Sequence, residues 1–118
     1  MKTIEGLSRD LEEAYGALSN WMESQARSEI RRLETKLVLE EERARYLVDN
    51  EPKVLGANEE QRAAKLLFLC KDAYESANEA EIARIGTKQS LDAALMRIEH
   101  LRAQLRILEL QAGIQRAA

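Results

Sequence analysis

Punctuation is scarce in this chain, which has one proline and five glycines in 118 residues. Turns depend on those residue types, so a many-stranded all-β fold is excluded. Cysteine is as rare. Cys70 stands alone, which rules out an internal disulfide framework or a cysteine metal cluster and suits a reducing cytoplasm. His100 is the only histidine, and its neighbour Glu99 lies one residue away where a metal-binding helical pair needs three. No second glycine lies near Leu55-Gly56-Ala57 to build a phosphate loop. Long apolar runs are missing too. Nowhere do eighteen uncharged apolar residues follow one another, and the first ten residues lack the apolar core of a signal peptide. A cytoplasmic chain without a membrane segment is therefore expected. Eighteen basic against twenty-one acidic groups give a net charge of -3, too balanced to imply nucleic acid or a membrane surface by itself.

What is present points to long helices. A third of the residues are charged and 45% are apolar, with Ala, Glu, Lys, Leu and Arg dominant. The proline and one glycine fall together, in Asp49-Asn50-Glu51-Pro52-Lys53-Val54-Leu55-Gly56-Ala57-Asn58. Pro52 disfavours helical geometry at Glu51 and should stop a first helix near Asn50. Asn58 reads as the N-cap of a second helix, with Gln61 in the capping-box position and Glu59 and Glu60 at the positive end of the dipole. The expected layout is one domain over residues 1–118, with helix 1 at about 3–50, a turn at 51–57 and helix 2 at about 58–115.

Heptad spacing then sets the architecture. In helix 2 one stripe runs through Leu66, Cys70, Ala73, Ala77, Ala80, Arg84, Thr87, Leu91, Ala94, Ile98, Leu101, Leu105, Leu108, Ala112 and Gln115. In helix 1 the apolar residues fall on two registers, Ile4, Leu7, Leu11, Ala14, Leu18, Trp21 and then Ala26, Ile30, Leu33, Leu37, Ala44, Leu47, which a four-residue stutter between Trp21 and Ala26 would join. The fold class is all-α, an antiparallel two-helix coiled-coil hairpin. A turn centred near residue 54 pairs positions whose numbers sum to about 108, which sets Arg84 and Thr87 opposite Ser24 and Trp21 as a polar seam layer that pins alignment. The same register leaves Leu108 to Ala118 without a partner on helix 1.

Apolar residues beside the seam, among them Leu67, Tyr74, Ile82, Ile85 and Val38, call for further cover, so assembly into a four-helix or larger bundle is expected. Ile107, Leu108, Leu110 and Ile114 are candidate oligomer or partner contacts. Two basic groups, Arg27, Arg31, Arg32 and Lys36 on helix 1 and Arg97, Arg102 and Arg106 on helix 2, are candidate anion or nucleic-acid contacts. Glu29, Glu34 and Glu99 stand among them without interleaved aromatics, so ion pairing on a solvated face is the simpler role.

The run Val54-Leu55-Gly56-Ala57-Asn58-Glu59-Glu60-Gln61-Arg62-Ala63 resembles the G-x-N-E-E-x-R turn of small helical-hairpin proteins of bacteriophages and prophages. Gly56, Asn58, Glu59, Glu60 and Arg62 carry the match. Capping explains Asn58 and Glu59; Arg62 sits where a cation is disfavoured and is placed to bond back to the turn or to Glu51. The resemblance implies two long charged helices, a phage origin in a bacterial host and an interaction role, with no active site. The reading is thus a non-enzymatic coiled-coil protein that needs no cofactor or metal. It binds itself and another protein, as a phage accessory factor acting on a host component or in assembly. The alternatives are a nucleic-acid-associated accessory protein using the arginine clusters, and a sponge for a small anionic ligand held near Arg84 and Trp21.

Overall fold

Thr3 starts the first helix in the way its side chain allows, with its hydroxyl accepting from the Gly6 N–H at 3.0 Å and its carbonyl from the Leu7 N–H. In the computed structural model, which describes residues 2–117 apart from the side chains of Pro52 and Ala117, four helices follow. They are α1 (Ile4–Asp49), α2 (Pro52–Leu55), α3 (Glu59–Leu69) and α4 (Lys71–Ala117), with no strand among the described residues. The chain is an all-α helical hairpin.

The turn is more structured than a plain loop over 51–57. Asn50 closes α1 by donating from Nδ2 to the Tyr46 carbonyl at 2.9 Å. Pro52 then occupies the first position of the one-turn helix α2, where its missing N–H costs nothing; its side chain lies outside the described residues. Leu55 tucks inside at 4% exposure. Gly56 follows with φ 157°, and a β-carbon there would lie 2.7 Å from Gln61 Cβ and 2.8 Å from the Arg62 nitrogen. Only glycine fits so close an approach. Asn58 caps α3 by accepting from the Gln61 N–H at 2.8 Å, and Gln61 reaches back through Oε1 to the Ala57 N–H at 3.0 Å. That is one residue earlier than a standard capping box. Helix 2 is also not continuous. Cys70 leaves helical geometry at φ -102°, ψ 24°, separating α3 from α4, although its N–H still donates to Leu66 and its carbonyl still accepts from Tyr74.

The residues form two compact units, one of residues 27–85 and the other of residues 1–26 with 86–118. In the first, Leu55, Leu66, Cys70, Ala73 and Ala80 are buried, and the α1 side is half-buried at Ser28, Glu29, Arg32, Thr35, Leu39, Glu42 and Tyr46. Glu29 pairs with Arg84 and Arg32 with Glu81, so α1 and α4 run antiparallel there. In the second unit Leu7, Ala14, Ile98 and Leu101 make the core, with Leu11, Leu18, Leu105 and Leu108 packed against it. Each large buried aliphatic side chain contributes about 1.5–3 kcal/mol. Thr87 donates to Gln25 Oε1 at 2.7 Å.

These contacts correct the register. Positions 29 and 84, 32 and 81, and 25 and 87 sum to 112 or 113 where the sequence suggested 108. The difference is one helical turn, and it arises because the α2 turn moves the hairpin's pivot from residue 54 to Gly56. As a result Leu108 is packed against the core by its own chain. Ile107, Leu110 and Ile114 remain more than half exposed.

The helix 2 stripe is buried or half-buried at every position from Leu66 to Ala112. On α1 no stutter occurs. The first register simply continues from Trp21 through Gln25, Ser28, Arg32, Thr35, Leu39, Glu42 and Tyr46, with the same steps of three and four. Ala26, Ile30, Leu33, Leu37, Ala44 and Leu47 are exposed on another face of the helix. The sequence reading followed hydrophobicity where the helix followed geometry.

Gly56→Ala should destabilise the hairpin by about 1–3 kcal/mol, the usual cost of overpacking a tight site. Urea titration followed by circular dichroism reads this, and an unchanged midpoint would show that the turn relaxes freely.

Candidate functional site: a four-charge cluster and uncovered apolar stripes

Two Glu-x-x-Arg runs, Glu29 to Arg32 on α1 and Glu81 to Arg84 on α4, meet in opposite directions. Antiparallel alignment brings the glutamate of each run level with the arginine of the other. Arg84 Nη1 lies 3.5 Å from Glu29 Oε1, and its Nε and Nη2 both bond Glu81. Arg32 Nε lies 3.4 Å from Glu29 and 3.8 Å from Glu81. Each cation thus touches both carboxylates. The hydrogen bond from Arg84 holds the Glu81 carboxyl below its usual range, aided by the charges of Arg84 and Arg32 and opposed by partial desolvation. Glu81 in turn raises Arg84 further.

Arg84 and Thr87 are therefore the polar positions of the α4 seam, as the spacing suggested, but their partners are Glu29 and Gln25 where Ser24 and Trp21 were expected. Trp21 lies one turn away from that role. With Ala14, Ala17, Ser90, Ala93, Ala94 and Arg97 it lines an open groove of about 330 Å³. Ser24 is half-buried. An anion held near Arg84 would compete with two carboxylates already there.

The basic groups do not gather on one face. Arg27 and Lys36 are nine residues apart, hence on opposite sides of α1, and Arg32 is committed to the charge cluster. Arg31 lines a groove beside Glu34, Glu42 and Asp72, and Arg102 and Arg106 line another with Glu109. At the turn, Glu59 is exposed in the first turn of α3, and Arg62 is half-buried beside Leu47, Asn50 and Leu55, with no ion pair to Glu51. Cys70 is 1% exposed, and burial followed by the charge of Glu42 pushes its thiol up, so it packs as a small apolar residue. No cluster of metal-ligating side chains occurs among the described residues, and no helix there is long and apolar enough to cross a membrane.

The sequence points to Glu29 only as an ion-pairing partner on a solvated face and does not mark Gln25 or Glu81. Carrying the first heptad register past Trp21 without regard to polarity would have found Gln25, whereas Glu-x-x-Arg spacing also occurs at Glu40, Glu42, Glu59 and Glu99 and marks out Glu29 and Glu81 only once the register sets them level with Arg84 and Arg32. The surface is equally informative. Large apolar side chains stay exposed along both long helices, including Ile30 at 56%, Leu33 at 52%, Leu37 at 56%, Ile82 at 62% and Ile114 at 70%. No family model, curated protein or solved structure matches the chain.

Arg84→Leu should lower the melting temperature by a few degrees near pH 7, since it removes the guanidinium that pairs with both Glu29 and Glu81. Glu81 has a lowered folded value, so its contribution is present above the ordinary carboxylate range and lost as pH falls through the folded value. The difference between variant and parent should therefore shrink in thermal scans as pH falls below the ordinary carboxylate range. A higher melting temperature near pH 7 would show instead that the polar position costs more than its pairs return.

Proposed function

We propose that this chain is a non-catalytic coiled-coil interaction protein that associates with itself and presents the assembled helices to another protein. The observation that carries the proposal is the exposed apolar residues at helical spacing, Ile30, Leu33, Leu37 and Leu47 on α1 and Ile82, Ile85, Ile107, Leu110 and Ile114 on α4. Apolar stripes of this kind are covered in use, because leaving them in water forgoes about 25 cal/mol for every Å². Two helices side by side have no interior in which to place it. Four or more do.

The charges fit the same reading. The Glu29, Arg32, Glu81 and Arg84 cluster and the Thr87 to Gln25 bond align helices and offer no reactive pair aimed into a cavity. The turn motif around Gly56 and Asn58 supports a place among phage and prophage hairpin proteins, hence an accessory role on a host component or in assembly within a bacterial cytoplasm. Scattered arginines with acidic neighbours give little purchase on a regularly spaced phosphate backbone.

Sedimentation equilibrium at micromolar concentration should return a mass at least twice the 13.4 kDa of one chain. A mass of one chain at every concentration would contradict self-association. In gel retardation at low salt, where phosphate contacts are strongest, DNA and RNA should run free; salt-sensitive retention of either would favour the nucleic-acid alternative.

A further inference from the structure

The outward stripe of α1 is the feature that the hairpin itself leaves unexplained. Ile30, Leu33 and Leu37 are each more than half exposed, and with Ala26 they keep steps of four, three and four. On a helix turning about 100° per residue they lie roughly 150° from the seam that faces α4. Glu23 and Glu40 occupy the next positions of the stripe in either direction and bound it. Seam-like spacing on a face directed away from the partner helix is the pattern of a second coiled-coil contact, and its natural occupant is another helix of the same period.

We infer that this stripe pairs antiparallel with the same stripe of a second copy of this chain. The inference rests on the self-association proposed above and names its face and orientation. Charge complementarity selects the occupant and the direction. Centring the pair between Arg31 and Arg32 sets Ile30 level with Leu33 of the second copy and Leu37 level with its Ala26, and the two-fold axis repeats both layers. On the flank turned further from α4, Arg27 then stands level with Glu34 of the second copy. On the other flank Lys36 stands level with its Glu29. Every flanking pair is of opposite sign. A parallel pair would instead bring Glu29 beside Glu34 of the second copy, a like-charge contact on both flanks. One helix turned on a two-fold axis is self-complementary in the way a closed dimer requires.

Four layers of two helices bury less than the roughly 800 Å² per partner of a standard interface. Ile82 and Ile85, exposed on α4 in the same unit, widen the patch. Helical offsets place both stripes on one side of the antiparallel pair in that unit.

Arg27→Glu tests the inference without touching the hairpin, because Arg27 and Glu34 are exposed and make none of the cross-helix ion pairs. Sedimentation equilibrium should show association weakened about tenfold by Arg27→Glu, and again by Glu34→Arg, while the double exchange Arg27→Glu with Glu34→Arg restores it. Leu33→Glu should abolish association with helicity by circular dichroism unchanged. An oligomeric parent whose mass none of these variants alters would overturn the inference while leaving self-association intact. Weakening by both single exchanges without restoration by the double would overturn the antiparallel register. A parent that stays a single chain at all concentrations would overturn the self-association itself.

Discussion

The rotation of α1 about its own axis is the constraint on which the rest depends. From Gln25 onward that helix has an apolar face and a polar face, and only one of them can meet α4. The paired Glu-x-x-Arg runs settle the choice. Buried alone, any of Glu29, Arg32, Glu81 or Arg84 would be costly in a helix seam, yet together they satisfy one another and stay partly in water. The small Ala80 on the α4 seam stands opposite Arg32 in this register and leaves room for its long side chain.

Once the polar face turns inward, the apolar face must turn outward. Ile30, Leu33 and Leu37 are thus exposed as a consequence of the charge cluster rather than by default, and the interaction surface and the alignment device are two sides of one helix. Residues 1–26 with 86–118 are built differently. There Leu7, Ala14, Ile98 and Leu101 supply an ordinary apolar core, and the α1 face opposite α4 is hydrophobic. The charge cluster is thus confined to one unit, while the other is held by aliphatic packing.

Much of the fold was legible in residue order. Asn58 and Gly56 announce the helix start and the turn by chemistry that needs no tertiary partner, and the α4 seam can be followed by counting because its residues are mostly apolar. The register was not legible. It depends on a single turn of helix at Pro52–Leu55, too short to show periodicity, which shifts every opposing pair by about four residues. Beyond Trp21 the α1 seam departs from the apolar pattern for a related reason. An apolar stripe signals that something covers it and is silent about what, so the pattern from Ala26 to Leu47 reads equally well as an intrachain seam. Arg84 and Thr87 stood out as polar exceptions among apolar neighbours, whereas Gln25 and Glu29 had no such contrast to mark them. Nothing in the local sequence accounts for the interruption at Cys70.

The register itself is the most direct point of test, because the charge cluster, the pivot at Gly56 and the outward stripe all follow from it. Nuclear Overhauser contacts of the Trp21 indole in an isotope-labelled sample report it without substitution. The account predicts cross-peaks from the indole to the Ala94 methyl, together with contacts between the Thr87 methyl and the Gln25 side chain. Contacts from the indole to the Thr87 methyl with none to Ala94 would place the helices one turn away and contradict it.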